Sequence, residues 1–267
     1  MPARLRSWAA AHLPARLMHR YRMLRHVRLW PYEPELAVLP RFLKHDEVAI
    51  DVGANVGVYS DCLAQRAKRV IALEPHSGCA AYLRRLALDR VQIVEAAVSD
   101  TDGTAELRIP LDEAGDAYAL SSLSVANAFS AAGQAVRVEQ VRTVTLDAIV
   151  ARFVGPDERV GFVKIDVEGH ELAVLNGSRG LLVEHRPVVL VETEFRHGGD
   201  PEAVLRLAAE LGYTAYALTD GVTFSPVDGA ILARRQSAAL QVAGRAGGYL
   251  NNVFLLPDPS RASAATG

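Results

Sequence analysis

The residues most able to do chemistry follow apolar runs that predict β-strands. The first run, Val48–Val52, leads into the turn Gly53-Ala54-Asn55-Val56-Gly57. Gly53 would let a ligand approach the backbone, and Gly57 would let the following helix begin close to the sheet. The free N–H groups at the start of that helix can hold a carboxylate. Asp51 suits the ammonium group of an amino-acid ligand better than it suits a pyrophosphate.

The spacing of this turn discriminates between cofactors. A dinucleotide-binding turn has the pattern Gly-x-Gly-x-x-Gly, and that pattern is absent here. Glu74 ends the second predicted strand, where an acidic side chain can accept hydrogen bonds from both hydroxyls of a ribose. Because S-adenosylmethionine (SAM) and NAD both contain a ribose, Glu74 fits either of them, and the turn favours SAM.

Two further strand ends carry small or charged residues. After the third predicted strand, Glu95-Ala96-Ala97 would leave space for an adenine ring, with Glu95 able to reach its edge. After a later strand, residues 166–171 place four ionisable groups within six positions, namely Asp166, Glu168, His170 and Glu171. Clustered carboxylates repel one another unless they meet a cation or a polar ligand, and a sulfonium-bearing cofactor would be such a partner. The alternative is a solvated loop in which Glu168 and Glu171 only favour the first turn of a helix.

The elements that would position these residues alternate between strand and helix. Predicted strands cover residues 48–52, 69–73, 91–94, 161–166, 188–192, 213–218 and 249–256. Predicted helices cover residues 58–66, 77–88 (with Ser77 as a cap), 146–153, 170–175 and 201–211. This alternation is typical of a doubly wound α/β sheet, in which ligands bind beyond the carboxyl ends of the strands.

Three segments interrupt or flank this alternation. Residues 1–45 are predicted to be an Arg-rich helical extension of an α/β domain at 46–256, and residues 257–267 are predicted to be a flexible tail. Within the domain, residues 98–145 form an insertion, with β-segments at 105–111 and 135–145 around a long loop. Loops of that length tend to be functional, so the insertion is expected to be a lid or a substrate-binding hairpin.

Several segments, taken in order, resemble the FkbM-type methyltransferases. They are the turn 51–57, Ala72-Leu73-Glu74-Pro75, Val144-Thr145-Leu146-Asp147, Lys164-Ile165-Asp166-Val167-Glu168-Gly169-x-Glu171, Val174-Leu175-Asn176-Gly177 and the strand 187–192. The resemblance covers roughly residues 48–218, and the segment 166–171 is its most specific element. The glycine turn alone would identify only class I methyltransferases.

The resemblance implies a fold, a cofactor and a reaction. The fold would be α/β, of the class I methyltransferase Rossmann-like type, with a mostly parallel seven-stranded sheet and helices on both faces. The cofactor would be SAM, and the reaction O-methylation of a hydroxyl on a sugar, a glycan or a secondary metabolite. The family pattern assigns cofactor binding to Asp51, Gly53, Gly57 and Glu74, and it gives His170 no role. The full set of candidate cofactor contacts is Asp51, Gly53, Ala54, Asn55, Gly57, Glu74, Pro75, Glu95, Ala96 and Asp166.

Methyl transfer to an alcohol benefits from a base. The displacement itself needs mainly alignment and exclusion of water, and a positioned base adds about 10²–10⁴-fold. Asp166 and Glu192 should face the same rim of the sheet and are expected around the acceptor. His197 or His170 is expected to be the base, because an unperturbed histidine titrates near pH 6.5. The alternative for His197 is an ordinary solvated loop histidine.

The distribution of charge limits the classes of partner. Residues 1–30 hold seven arginines and neither acidic residues nor lysine. The rest of the chain has 29 − 7 = 22 basic and 31 acidic residues, a balance of −9. An acidic body argues against nucleic-acid binding and leaves a small-molecule or glycan acceptor as the expected partner. The Arg-rich segment, which includes Trp8, Tyr21 and Trp30, could make a peripheral contact with an anionic membrane or pack as a solvated extension.

Other patterns predict a reduced, cytoplasmic protein without a metal. Cys62 and Cys79 lie too far apart in sequence to form a redox or metal-ligand pair and are expected to be small buried residues. No apolar stretch reaches the length of a membrane span, and the recurring arginines interrupt any signal-peptide core. The scattered histidines predict no metal site. No pattern indicates an oligomeric state.

Four other functions are alternatives. An N-methyltransferase acting on a small amine or a protein side chain is disfavoured because no Asn/Asp-Pro-Pro-Tyr-like segment is present. The acidic body disfavours an RNA methyltransferase, and the glycine turn with Asp51 disfavours an NAD-dependent oxidoreductase. A non-catalytic, membrane-associated SAM-binding protein would need the arginines to matter and the carboxylates at the strand ends not to matter.

Overall fold

The described part of the chain contains twelve strands and nine helices, and the main strands are apolar runs separated by helices. The computed structural model describes residues 14–24, 33–112, 115–116, 121–124, 135–218, 221–237, 239–240 and 248–258. The strands are β1 (Val48–Val52), β2 (Arg69–Leu73), β3 (Val91–Val94), β4 (Ala97–Val98), β5 (Gly103–Asp112), β6 (Gly115–Asp116), β7 (Val136–Val144), β8 (Val160–Ile165), β9 (Val188–Glu192), β10 (Tyr213–Leu218), β11 (Phe224–Pro226) and β12 (Asn252–Pro257). The helices are α1 (Ala15–Met23), α2 (Glu35–Val38), α3 (Val58–Ala64), α4 (Ser77–Leu86), α5 (Leu146–Phe153), α6 (Glu171–Asn176), α7 (Arg179–Glu184), α8 (Pro201–Glu210) and α9 (Gly229–Arg235). Leu39–Arg41 and Phe195–His197 are short 3₁₀ turns.

The larger sheet has eight strands in the order β11-β10-β12-β9-β8-β1-β2-β3. The five strands from β9 to β3 are parallel. Strand β12 lies antiparallel between β9 and β10, and β11 is antiparallel to β10. The predicted α/β fold with a mostly parallel sheet is therefore confirmed, with strand β11 as an eighth member beyond the predicted seven. At three residues, β11 is too short for an alternating pattern to reveal it.

Helices cover both faces of this sheet, as predicted. On one face, Ile50, Val163 and Val191 belong to a core shared with apolar residues of α5 to α9. On the other face, Ala49 and Phe162 pack with apolar residues of α2 and α3. The central strands are buried on both sides, which explains why they are nearly continuous apolar runs rather than alternating ones.

A smaller sheet comes from the predicted insertion. Its order is β4-β7-β5-β6. Strands β5 and β7 form a long antiparallel pair, from Gly103 opposite Thr143 to Pro110 opposite Val136. Leu107 and Ile109 from β5 are fully buried in a separate small core with Ala97 and Val141.

Several element ends differ from the sequence prediction. Helix α4 is capped by His76, whose Nδ1 accepts a hydrogen bond from the Cys79 N–H at 3.1 Å, and the predicted cap Ser77 is its first helical residue. Helices α7 and α9 are not predicted by the sequence, since six or seven residues give little periodicity. Within the described part of the chain, every helix is too short or too polar to span a lipid bilayer. The predicted tail starts at residue 257, which is the last residue of β12. From residue 259 onward the tail lies outside the described residues.

Candidate active site

A cleft opens at the carboxyl ends of β1, β2 and β8, where the order of a doubly wound sheet changes direction. It contains about 590 Å³ of empty space, part of which is open solvent. Six of the ten candidate cofactor residues line it, namely Gly53, Asn55, Glu74, Pro75, Ala96 and Asp166. The other four, Asp51, Ala54, Gly57 and Glu95, are not among the residues that line it.

The floor of the cleft is a turn pressed against the end of β8. Gly53 has a φ of 77°, and a Cβ atom there would lie 1.9 Å from the Asp166 carbonyl oxygen. The Asp166 N–H in turn donates to the Val52 carbonyl at 3.0 Å. Glycine is therefore needed at position 53 for contact with the protein's own backbone, whatever ligand the turn also admits. Gly57 has a φ of 84°, and a Cβ atom there would lie 2.7 Å from the Leu83 side chain in α4.

Glu74 lines the cleft and is held by two backbone amides. Its Oε2 accepts a hydrogen bond from the Asn55 N–H at 2.7 Å, and its Oε1 accepts one from the His76 N–H at 2.8 Å. Burial raises the pKa of Glu74 to about 7, although these two backbone donors act in the opposite direction. The two amides fix the orientation of the carboxylate, and each oxygen can still accept a hydrogen bond from a ligand.

Asp51 lies beneath the turn. It is buried, and its Oδ2 accepts a hydrogen bond from the Ser60 hydroxyl at 2.6 Å. Burial raises its pKa to about 6, with the Ser60 hydrogen bond and the Lys164 charge lowering it. In this structure Asp51 is bound by Ser60 of helix α3, and it does not line the cleft.

Glu95 is not among the residues that line the cleft. Its side chain is exposed and pairs with Arg84, with 2.6 Å between Arg84 Nη1 and Glu95 Oε2. The carboxylate therefore points to helix α4. An arginine eleven residues earlier gives no sequence signal of this pairing, because only the fold brings the two side chains together.

A buried lysine lies at the centre of the charged rim. Lys164 is 1% exposed, and its Nζ lies 3.7 Å from Asp166 Oδ2 and 3.9 Å from Glu192 Oε2. The same ammonium lies 5.1 Å from the centroid of the Tyr59 ring. Asp166 and Glu192 hold the pKa of Lys164 above its ordinary value despite burial, which keeps the side chain cationic. The sequence motifs assign no role to Lys164, although a lysine inside the apolar run Val160–Ile165 is a signal that points to it.

The two carboxylates beside Lys164 are not equivalent to surface acids. Burial and the negative charge of Glu192 raise the pKa of Asp166, and Lys164 lowers it only in part. Burial also raises the pKa of Glu192 to about 7, again against the effect of Lys164. Asp166 lines the cleft, whereas Glu192 stands next to it on β9, where the Asn251 side-chain amide donates to its Oε1.

The two candidate histidines occupy different positions. His170 lines the cleft, and its Nε2 lies 2.9 Å from the Ser99 hydroxyl. Burial lowers the pKa of His170, so its ring is mostly neutral near pH 7. His197 is buried behind Glu168, with 2.9 Å between its Nε2 and Glu168 Oε2. The structure therefore brings Asp166, Glu168 and His170 together at the cleft. The His197 side chain lies behind Glu168 and is not among the residues that line the cleft.

Backbone strain marks the same loop. Glu168 has a φ of 51° and Gly169 a φ of 95°, and a left-handed conformation is uncommon for a residue with a side chain. A Cβ atom on Gly169 would lie 2.2 Å from the His197 carbonyl oxygen. Residues in such conformations cost about 1–3 kcal/mol and cluster at functional sites.

The insertion supplies one wall of the cleft, which the sequence could not specify by residue. Leu107 from β5 and the segment 121–123 line the cleft together with Asp166 and Glu168. The Ser122 hydroxyl donates to the Glu168 carbonyl at 2.5 Å, and the Ser122 backbone pairs with Arg108 on β5. The segment is therefore attached both to the smaller sheet and to the charged loop.

Two buried polar atoms at this cleft lack a hydrogen-bond partner in the described part of the chain. They are Asn55 Oδ1 and Ser121 Oγ, one on the turn and one on the opposite wall. Buried polar groups are nearly always paired, so a ligand or solvent in the cleft has hydrogen bonds to make at both walls. Among the described residues, no group of three or more His, Cys, Asp or Glu side chains is placed to hold a metal ion.

Comparison with known proteins gives a consistent set of similarities. A sequence model of the methyltransferase FkbM domain matches residues 51–215. Hexuronic acid methyltransferase AglP from Haloferax volcanii is 31% identical over 176 residues, which is 62% of this chain and 63% of AglP. The solved structure of methyltransferase FkbM from Methylobacillus flagellatus KT aligns with a TM-score of 0.46 and 15% identity, over 80% of this chain and 44% of that one. SMU.1697c from Streptococcus mutans, solved in complex with SAH, aligns with a TM-score of 0.45 and 12% identity, over 84% and 96% of the two chains. The chain thus spans less than two thirds of AglP and of the M. flagellatus protein.

Proposed function

This chain belongs to the FkbM methyltransferase family, and from that premise we propose that it transfers a methyl group from SAM to a hydroxyl oxygen of a sugar, a glycan or a secondary metabolite. The observation that carries the proposal is Glu74. A buried carboxylate, oriented by two backbone amides, faces a cleft at the end of the second parallel strand. That is the position from which an acidic side chain accepts hydrogen bonds from a ribose.

The residues at the cleft fit SAM on both sides of the ribose. Ala96, Ala97 and Leu107 provide small or apolar surfaces of the kind an adenine ring packs against. The unpartnered Asn55 Oδ1 and Ser121 Oγ atoms offer hydrogen bonds to the polar parts of the ligand. Asp166 and Glu168 also line the cleft, and negative charge there would favour a cationic group.

The chemistry asked of the protein is mainly positioning. When bound, SAM supplies a methyl group that is already activated on a sulfonium. The cleft walls would exclude water from that group, and Asp166 with Glu192 would orient the acceptor by hydrogen bonds to its hydroxyls. His170 would accept the hydroxyl proton, since it is the candidate histidine that reaches the cleft and burial keeps it neutral.

A calorimetric titration tests the cofactor. We expect S-adenosylhomocysteine to bind one-to-one, NAD not to bind, and Glu74→Ala to weaken binding about 10- to 100-fold through loss of charge-assisted hydrogen bonds. Asp51→Ala removes the carboxylate that Ser60 binds and should weaken binding as well. Glu95→Ala is the matched control, because this exposed carboxylate points to Arg84 and its loss should leave the affinity unchanged. Binding of NAD, or equal losses in Glu74→Ala and Glu95→Ala, would contradict the proposed site.

A second experiment tests the bond that is formed. The similarity to AglP supports a sugar acceptor, so purified protein and methyl-labelled SAM are incubated with neutral hexosides, hexuronosides and amino-sugar glycosides. A methyl ether survives mild alkali, whereas a methyl ester of a uronic acid is hydrolysed and releases methanol. Alkali-stable label on a neutral hexoside supports hydroxyl methylation. Alkali-labile label on the hexuronoside would replace it with carboxylate methylation, and label found only on the amino sugar would favour nitrogen.

A further inference from the structure

Helix α1 is attached to the domain by one face. His19 is buried, with its Nε2 3.0 Å from Asp61 Oδ2 in α3. The Arg22 guanidinium lies over the Tyr82 ring in α4 at 5.1 Å, and Arg16 Nε donates to the Leu86 carbonyl at 3.1 Å. These contacts, made from two turns of the helix, fix which of its side chains point outward.

The outward face combines apolar side chains with an arginine. Leu17, Tyr21 and Leu24 are 51%, 45% and 44% exposed, and their spacing of four and three residues places them on one stripe. Arg20 is also exposed and lies on the same stripe. Seven large apolar side chains are exposed among the described residues, and this stripe holds three of them, while the others are scattered over the molecule.

The charge of the surrounding segment selects the kind of surface that this face fits. Residues 1–30 contain seven arginines and no acidic residue. A two-fold pairing of this face with a second copy would bring Arg20 close to its own symmetry mate, and like charges repel. An anionic lipid surface attracts the arginines and also accepts the Leu and Tyr side chains at the boundary between headgroups and acyl chains.

The helix also lies near the candidate active site. The His19 ring lies next to Gly57, at the end of the turn that follows β1. We propose that the stripe formed by Leu17, Arg20, Tyr21 and Leu24 docks the protein on an anionic lipid bilayer. The proposal does not depend on the identity of the methyl acceptor.

Vesicle co-sedimentation of the full chain tests this. The vesicles are phosphatidylcholine alone and phosphatidylcholine with about one third phosphatidylglycerol. We expect binding to the anionic vesicles only, weakened about tenfold or more when Leu17→Ser, Tyr21→Ser and Leu24→Ser are combined. Arg20→Glu should weaken it at least about fivefold. Val183→Ser, at 45% exposure elsewhere on the surface, and Arg234→Glu on α9 are the matched controls and should bind as the wild type does.

Two further measurements make the result decisive. Thermal denaturation and S-adenosylhomocysteine titration show whether each variant is folded, independently of lipid. Equal binding to both vesicle types, or anionic binding that survives the triple change in a folded protein, would overturn the proposal. So would concentration-dependent self-association in analytical ultracentrifugation that the triple change abolishes, because the stripe would then be a subunit interface.

Discussion

At the scale of single residues, the candidate site depends on one buried cation among several carboxylates. Lys164 lies on a central strand beside Asp51 and between Asp166 and Glu192. Removing one partner of a buried charge cluster leaves the others without compensation, and this costs more than the net contribution of the intact cluster. Lys164 therefore provides the positive charge that Asp51, Asp166 and Glu192 share.

Lys164→Met is expected to destabilise the protein by about 2–4 kcal/mol, because three carboxylates lose their counter-charge. Urea denaturation at neutral pH measures this loss. Lys68→Met is the control, since Lys68 is 52% exposed and pairs with Glu158 at the surface, where a salt bridge contributes at most about 1 kcal/mol. Equal effects of the two changes would mean that Lys164 stabilises the fold no more than a surface lysine does.

At the scale of elements, the strands could be predicted almost to the residue and the cleft walls could not. Strands β1, β2, β3, β9 and β10 coincide with the predicted bounds. For β1, β2 and β9 the reason is that buried parallel strands are nearly continuous apolar runs. Because a hydroxyl is the usual acceptor at a helix N-cap, the sequence predicts Ser77 as the cap of α4, whereas the adjacent His76 ring performs this function. Short elements such as α7 and β11 give too little periodicity to be predicted.

The residues of the candidate site also fall into those that the sequence predicts and those that it does not. Gly53, Asn55, Glu74, Pro75, Ala96 and Asp166 could be found because each stands at a strand end, and strand ends meet at one edge of the sheet. Leu107 and the segment 121–123 reach the cleft only through the packing of the smaller sheet. The direction of the Glu95 side chain depends on Arg84 in the next layer. No local pattern contains information of that kind.

The turn after β1 gives a prediction at this scale. Gly53→Ala is expected to destabilise the protein by about 2 kcal/mol or more and to abolish S-adenosylhomocysteine binding, because a Cβ atom there clashes with the Asp166 carbonyl and the φ is positive. Gly103→Ala is the control. A Cβ atom at Gly103 would be no closer than 3.6 Å to a neighbouring side chain. Denaturation and calorimetry of both variants provide the comparison, and a Gly53→Ala protein that still binds the ligand would show that the turn can rearrange.

At the scale of the whole molecule, buried acids make stability depend on pH. Burial raises the pKa of Glu74, Glu171 and Glu192 to about 7 and that of Asp51 to about 6. Such carboxyls bind more protons in the folded than in the unfolded chain, so the free energy of unfolding falls as the pH rises through this interval. Burial lowers the pKa of His170 and of His185, which acts in the opposite direction below pH 6.5, but fewer groups contribute.

The unliganded protein is therefore expected to be most stable near pH 5 and to lose stability as the pH rises to about 7. Thermal denaturation across that range measures the trend. Glu74→Gln should reduce the loss by roughly 2 kcal/mol, since the amide does not titrate. The exposed Glu95→Gln should leave the trend unchanged. Stability that rises steadily from pH 5 to pH 7 would mean that these acids are ionised in the folded protein.

The central position of β1 also has a consequence for how the protein is made. Strand β1 pairs on one side with β2, which follows closely in the chain, and on the other side with β8, where Val48 lies opposite Val160. During synthesis from the N-terminus, one edge of β1 stays unpaired until β8 has left the ribosome, and unpaired strand edges invite wrong pairing. The turn at Gly53 also lacks its packing partner, the backbone of Asp166, until that residue has been synthesised. We therefore expect the nascent chain to need protection over this interval and the ligand-binding form to appear late in translation.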